Sequence, residues 1–109
     1  MTIALPGPIA AYLAADRGSG AHAVAACFTS AAVVKDDDHT YVGRDAIRRW
    51  EVETDAKYSC TFEALAVDEQ GGRTIVTNHV SGNFPGSPID MRYAFVLAGD
   101  EIAELEITA

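Results

Sequence analysis

The sequence predicts an α+β fold, a cone-shaped roll in which a curved antiparallel sheet is covered by three N-terminal helices. Three observations carry that expectation. Apolar residues recur at helical spacing as far as Thr54, the period changes to two from Tyr58 onward, and the alternating runs are separated by glycine- and proline-containing turns. Helices followed by a meander have one economical arrangement, with the helices against one face of the sheet.

Pro6-Gly7-Pro8 precedes Ile9, Tyr12, Leu13 and Asp16, so proline stands at a helix start ahead of an i, i+3, i+4 stripe, and this first helix ends by Gly18. Ser19 suits the cap of a second helix. In that helix Val24, Cys27 and Phe28 share a face, while Ala21, Ala23, Ala25 and Ala26 supply helix propensity. Ala32-Val33-Val34 is a short β-prone run that stops at the polar segment Lys35-Asp36-Asp37-Asp38-His39. A third helix follows Gly43. Its face of Ala46, Ile47, Trp50 and Thr54 packs on the sheet, with Trp50 as the anchor, and Arg44, Arg48, Glu51 and Asp55 lie on the other side.

Strands are expected near Tyr58 to Val67, Arg73 to Gly82, Ile89 to Leu97 and Glu101 to Ile107. Gln70-Gly71-Gly72, Phe84-Pro85-Gly86-Ser87-Pro88 and Gly99-Asp100 are their turns, with Phe84 as a plug beside the proline turn. Alternation places Ile89, Met91, Tyr93, Phe95 and Leu97 on the core face and Asp90, Arg92, Ala94 and Val96 on the opposite one. The open end of such a cone is a natural ligand pocket. If Val76, Val80, Ala94 and Val96 all point outward, the outer face is partly apolar and a homodimer through the sheet is expected.

Composition narrows the function further. A chain of 109 residues with 49% hydrophobic content reads as one domain, residues 1–109, with a single core. The formal charge of -8, from 16 acidic and 8 basic residues with no basic stripe, disfavours nucleic acid. The apolar stretch from Ile9 to Ala15 falls far short of the roughly 20 residues that span a bilayer, which gives an expectation of a cytoplasmic protein without a membrane partner. Cys27 and Cys60 read as free core thiols, the alternative being one long-range disulfide. Asp37, Asp38 and His39 point in divergent directions and lack companion ligands, so neither a metal nor a cofactor is expected, and no Ser-His-Asp set or phosphate loop is present.

Tyr12, Phe28, the run Ala32-Val33-Val34-Lys35-Asp36, the segment Gly43-Arg44-Asp45-Ala46-Ile47-Arg48-Arg49-Trp50 and the turn from Ser81 to Pro88 together resemble the SnoaL-like group of the nuclear transport factor 2-like (cystatin-like) superfamily. The resemblance covers nearly the whole chain. Ketosteroid isomerases of that superfamily imply a general base at Asp36 and an oxyanion donor at Tyr12, for proton abstraction next to a ketone. Met91 or Arg92 falls where those enzymes carry a protonated carboxylic acid, so one oxyanion donor is absent and steroid isomerisation itself is disfavoured. SnoaL-type polyketide cyclases imply a single acid–base aspartate, which His79 joins if it points inward. Limonene epoxide hydrolases imply an Asp-Arg-Asp set for which Asp90 and Arg92 are the candidates, although on the face away from the cavity.

The resemblance therefore implies a pocket for a small apolar molecule, carbonyl-bearing or cyclic, with Asp36 and Tyr12 as catalytic candidates. Trp50, His79, Met91, Tyr93 and Phe95 are the substrate-binding candidates. The alternatives are a binding module without turnover, an epoxide hydrolase-like enzyme, or a surface used for protein interaction. In the first and last, Tyr12 simply packs and Asp36 is a solvated strand-end carboxylate.

Overall fold

The chain builds, in order, α1 (Gly7–Gly18), α2 (Ala21–Ala25), β1 (Phe28–Asp36), β2 (His39–Val42), α3 (Arg44–Lys57), β3 (Thr61–Gln70), β4 (Arg73–Ser81), β5 (Ile89–Ala98) and β6 (Glu101–Thr108). The computed structural model describes residues 5–18, 20–36, 38–57, 61–83 and 85–108, with the backbone alone for 16–18, 21 and 54–57. The expected roles of Ser19, Phe84 and Cys60 lie outside the described residues. The strands form one six-stranded sheet in the order β2-β1-β6-β5-β4-β3.

Helix α1 spans the expected residues, and its stripe of Ile9, Tyr12 and Leu13 is buried. Helix α2 is shorter than its alanine content suggests. It starts at Gly20, whose φ of 88° supplies no side-chain cap, and it stops at Ala25 because the chain then joins the sheet. The Ile102 amide donates to the Cys27 carbonyl at 2.9 Å and Phe28 pairs with Ile102, so Phe28 opens β1 rather than closing the helix. Cross-strand hydrogen bonds here outweigh a propensity difference of a few tenths of a kcal/mol per residue.

Strand β1 runs on to Asp36, and His39–Val42 returns beside it as β2, where the sequence suggested only a polar loop. β1 also pairs in parallel with β6, which makes the sheet mixed while β3 to β6 keep the expected antiparallel meander. Register shifts between Phe28 and Val33, Ala64 and Ala66, and Val96 and Leu97 mark bulges, which bend strands and increase twist. They give the sheet its curvature.

Gly43 sets α3 over the end of β1. At φ +87° it adopts a left-handed conformation while its amide donates to the Ala32 carbonyl at 2.8 Å and its carbonyl accepts from Ile47. Arg44 fixes the same corner, donating through Nε to the Phe28 carbonyl at 2.8 Å and through Nη2 to Glu101 at 2.7 Å. The core then joins Ile9, Tyr12, Val24, Ile47 and Trp50 from the helices to Val34, Val76, Phe95 and Leu105 from the sheet.

β5 faces as expected, with Tyr93 and Phe95 in the core and Met91 and Leu97 packed against it. β4 does not. Val76 pairs with Tyr93 and Val80 with Ile89, so both valines point inward and join the core, whereas Ile75, Thr77 and His79 take the outer face. The outer face is correspondingly less apolar than expected. Val33, Ala94 and Val96 there are half-buried among Lys35, Arg73, Glu104 and Glu106, with Arg73 and Glu106 bridged at 3.3 Å. Among the described residues no helix is long and apolar enough to cross a membrane.

Candidate functional site

Pairing across the sheet places Asp36, Ile107, Tyr93 and Val76 in one row, because Asp36 is in register with Ile107, Ile107 with Tyr93, and Tyr93 with Val76. Residues in register share a face. Asp36 therefore projects from the inner surface that carries the core.

The carboxylate is held there by α3. Trp50, only 4% exposed, donates its indole Nε1–H to Asp36 Oδ2 at 2.9 Å. A buried indole requires an acceptor for its single donor, so packing the helix and orienting the carboxylate are one event. Among the described residues the second oxygen, Oδ1, has no hydrogen-bond partner. Tyr41 packs beside the indole, with ring centroids 6.0 Å apart, and the exposed His39 stacks on Tyr41 at 6.3 Å. Burial, followed by the negative charges of Asp36 and Glu53, pushes the Tyr41 phenol above the ordinary tyrosine range.

Tyr12 is 1% exposed and meets Phe28 and Phe95 edge-on, each at 5.7 Å. Phe95 lies 6.4 Å from Tyr93, which meets Phe62 at 6.2 Å. The inner face thus carries two aromatic groups, one running from Phe28 through Tyr12, Phe95 and Tyr93 to Phe62, the other formed by Trp50, Tyr41 and His39 around Asp36. Ile107 and Leu105 of β6 lie between them. Of the residues expected in the pocket, Asp36, Tyr12, Trp50, Met91, Tyr93 and Phe95 all belong to this inner side.

His79 does not join them. It is in register with Asp90 on the outer face, and Nδ1 stands 2.7 Å from Asp90 Oδ1. Strand parity is the reason, since its neighbours Asn78 and Val80 are the inward positions of β4. Arg92 is exposed on the same outer side, in register with Thr77. The Asp90 and Arg92 pair of a hydrolase arrangement is therefore turned away from the core.

Two polar residues of the inner side were missed. Glu51, assigned to the solvent face of α3, is only 7% exposed. It stands one helical turn after Ile47 and beside Trp50, so the i, i+4 spacing from Ile47 signals its burial. Asn78 is 0% exposed, in register with Met91 and Ala64, and neither its Oδ1 nor its Nδ2 has a hydrogen-bond partner. An asparagine two residues after Val76 and two before Val80 was the available signal. Among the described residues no three His, Cys, Asp or Glu side chains converge as metal ligands.

A curved sheet closed by helices, with an aspartate presented on its inner face, defines a protein of the nuclear transport factor 2-like fold. The chain belongs to the SnoaL-like domain family, whose profile matches residues 9–104. It is similar to a provisionally assigned polyketide cyclase from Sinorhizobium meliloti, at 36% identity over 95% of each chain with a TM-score of 0.90. A protein of ketosteroid isomerase-like fold from Catenulispora acidiphila, solved with trimethylamine, shares the fold at 21% identity over 97% of this chain and 87% of that one, with a TM-score of 0.84. The epoxide hydrolase/cyclase-like enzyme SalBIII, of pyran ring formation in salinomycin, shares it at 18% identity over 92% and 85%, with a TM-score of 0.77. No curated protein matches the sequence.

Proposed function

We propose that the protein binds a small, apolar, carbonyl-bearing cyclic molecule against the inner face of its sheet and moves a proton on it, with Asp36 as the base. The observation that carries this reading is the hydrogen bond from Trp50 to Asp36, which holds one carboxylate oxygen of a residue on the inner, core-bearing face of the sheet. In the step proposed, Asp36 removes a proton from the carbon next to the carbonyl, and the electron pair moves to the carbonyl oxygen as an enolate. The Tyr12 hydroxyl donates to that oxygen, and the protonated Asp36 returns the proton at the end of the cycle. A positioned base contributes roughly 100- to 10,000-fold to such a transfer. The likeness to a provisionally assigned polyketide cyclase supports the reading, because aldol ring closure of a polyketide begins with this deprotonation.

The half-buried position of Asp36, beside the exposed Asp38 and His39, favours one second reading, a binding module without turnover. Incubation of 2-tetralone with the protein in deuterium oxide, followed by proton NMR, separates the two. The enzyme reading expects accelerated loss of the α-proton signals, abolished by Asp36→Asn. Binding with no acceleration, or acceleration that survives Asp36→Asn, refutes Asp36 as the base.

A further inference from the structure

Asn78 takes no part in that proton transfer, yet it is the most deeply buried polar side chain among the described residues. It is 0% exposed, against 5% for Thr74 and 7% for Glu51. Thr74 closes its hydroxyl onto Glu69 at 3.1 Å, whereas both polar atoms of the Asn78 amide lack a partner. We infer that Asn78 is the specificity anchor of the pocket, gripping the edge of a neutral cyclic ligand that presents a carbonyl oxygen beside an O–H or N–H. The inference rests on the pocket reading above and adds the chemistry of what the pocket selects.

The surroundings of Asn78 explain the need for such a ligand. Its cross-strand neighbours are Met91 and Ala64, and Val76 and Val80 flank it on its own face of β4. None of these side chains offers a donor, and the Met91 thioether is only a weak acceptor. A carboxamide is two-sided, with Nδ2–H to give and Oδ1 to receive. A lactam, or an enol or hydroxyl set beside a carbonyl, satisfies both at once; a hydrocarbon satisfies neither, and a carboxylate sets an acceptor against Oδ1. The Asp36 carboxylate and a net charge of -8 also oppose an anion. A buried polar site of this kind discriminates strongly against ligands that leave it unpaired.

Position fixes the ligand's size. β4 and β1 are separated by β5 and β6, and Asn78 stands two residues along β4 from Val76, which is level with Asp36, so three strand spacings and two residues of rise put roughly 16 Å of sheet between Asn78 and Asp36. Less the reach of the two side chains across a curved surface, that distance fits two or three fused rings. The enolisable end then meets Asp36 and the hydroxy-carbonyl or lactam end meets Asn78.

Trp50 is the sole tryptophan, so its emission reports ligand binding beside Asp36. Titrations with quinolin-2-one, naphthalene and naphthalene-2-carboxylate compare a lactam edge, no polar edge and an anion on one bicyclic frame. Quinolin-2-one is expected to bind at least tenfold more tightly than either of the others. Asn78→Leu is expected to reduce that preference to less than twofold, retain the naphthalene affinity and raise the melting temperature of the unliganded protein. Asn78→Ala carries the same ligand comparison if the leucine variant does not fold. Equal affinities in the unaltered protein, a preference that survives both substitutions, or a lower melting temperature for Asn78→Leu each overturn the anchor while leaving the Asp36 chemistry standing. Failure of all three compounds to bind overturns the pocket together with the anchor.

Discussion

Replacing Trp50 by phenylalanine keeps an aromatic ring on α3 and removes the one N–H that holds Asp36 Oδ2 at 2.9 Å. A hydrogen bond to a charged group contributes about 1.5–3 kcal/mol when well shielded. Asp36 is only half-buried, so its freed oxygen regains water, and about 1–1.5 kcal/mol of coupling is expected. The lost ring volume adds a separate cavity cost of about 1–2 kcal/mol, because Trp50 is 4% exposed. A double-mutant cycle of Trp50→Phe and Asp36→Ala separates the two contributions, with stability measured by urea unfolding followed by circular dichroism. The single substitutions should sum to about 1–1.5 kcal/mol more than the double substitution costs. Additivity within about 0.3 kcal/mol would mean that indole and carboxylate do not interact in solution, and the account of how α3 orients Asp36 would fail.

Tyr41 should ionise above the ordinary tyrosine value of about 10, by burial first and then by the charges of Asp36 and Glu53. Ultraviolet titration against a Tyr41→Phe control checks this, and Asp36→Asn should lower the midpoint partway; no movement removes Asp36 from the cause. Because the folded-state value is raised, the associated stability is fully present below the unfolded value and is lost as pH rises through the folded one. Cys27 donates from Sγ to the Ala23 carbonyl at 3.5 Å, and burial pushes its thiol up, so at pH 8 it carries less thiolate than a free cysteine. In a Cys60→Ser background its reaction with a disulfide reagent should be at least several-fold slower than that of glutathione and should recover in denaturant; an equal rate contradicts the burial.

Much of the site was legible because it depends on short-range periodicity. The stripe of α1 put Tyr12 inside, and two-residue alternation in β5 put Met91, Tyr93 and Phe95 inside. Glu51 was equally legible by its spacing from Ile47, but its charge argued for solvent. β4 was harder, since Ile75 and Val76 are both buried and alternation alone does not choose a face. Only the pairing of Val76 with Tyr93 chooses it, and the same choice turns Asn78 in and His79 out.

The sequence by itself determined most of the elements and the inward facing of Tyr12, Trp50 and Phe95, because helical stripes, strand alternation and turn residues are local properties of the chain, while the fold family and the choice of Asp36 came from the resemblance of whole segments to the SnoaL-like group. Tertiary structure decided that α2 ends early, that β2 exists, that Trp50 reaches Asp36 and that Asn78 stands unpaired beside Met91. Each of those outcomes depends on groups far apart in sequence meeting across a sheet, where hydrogen-bond register and packing outweigh the weak preferences of single residues.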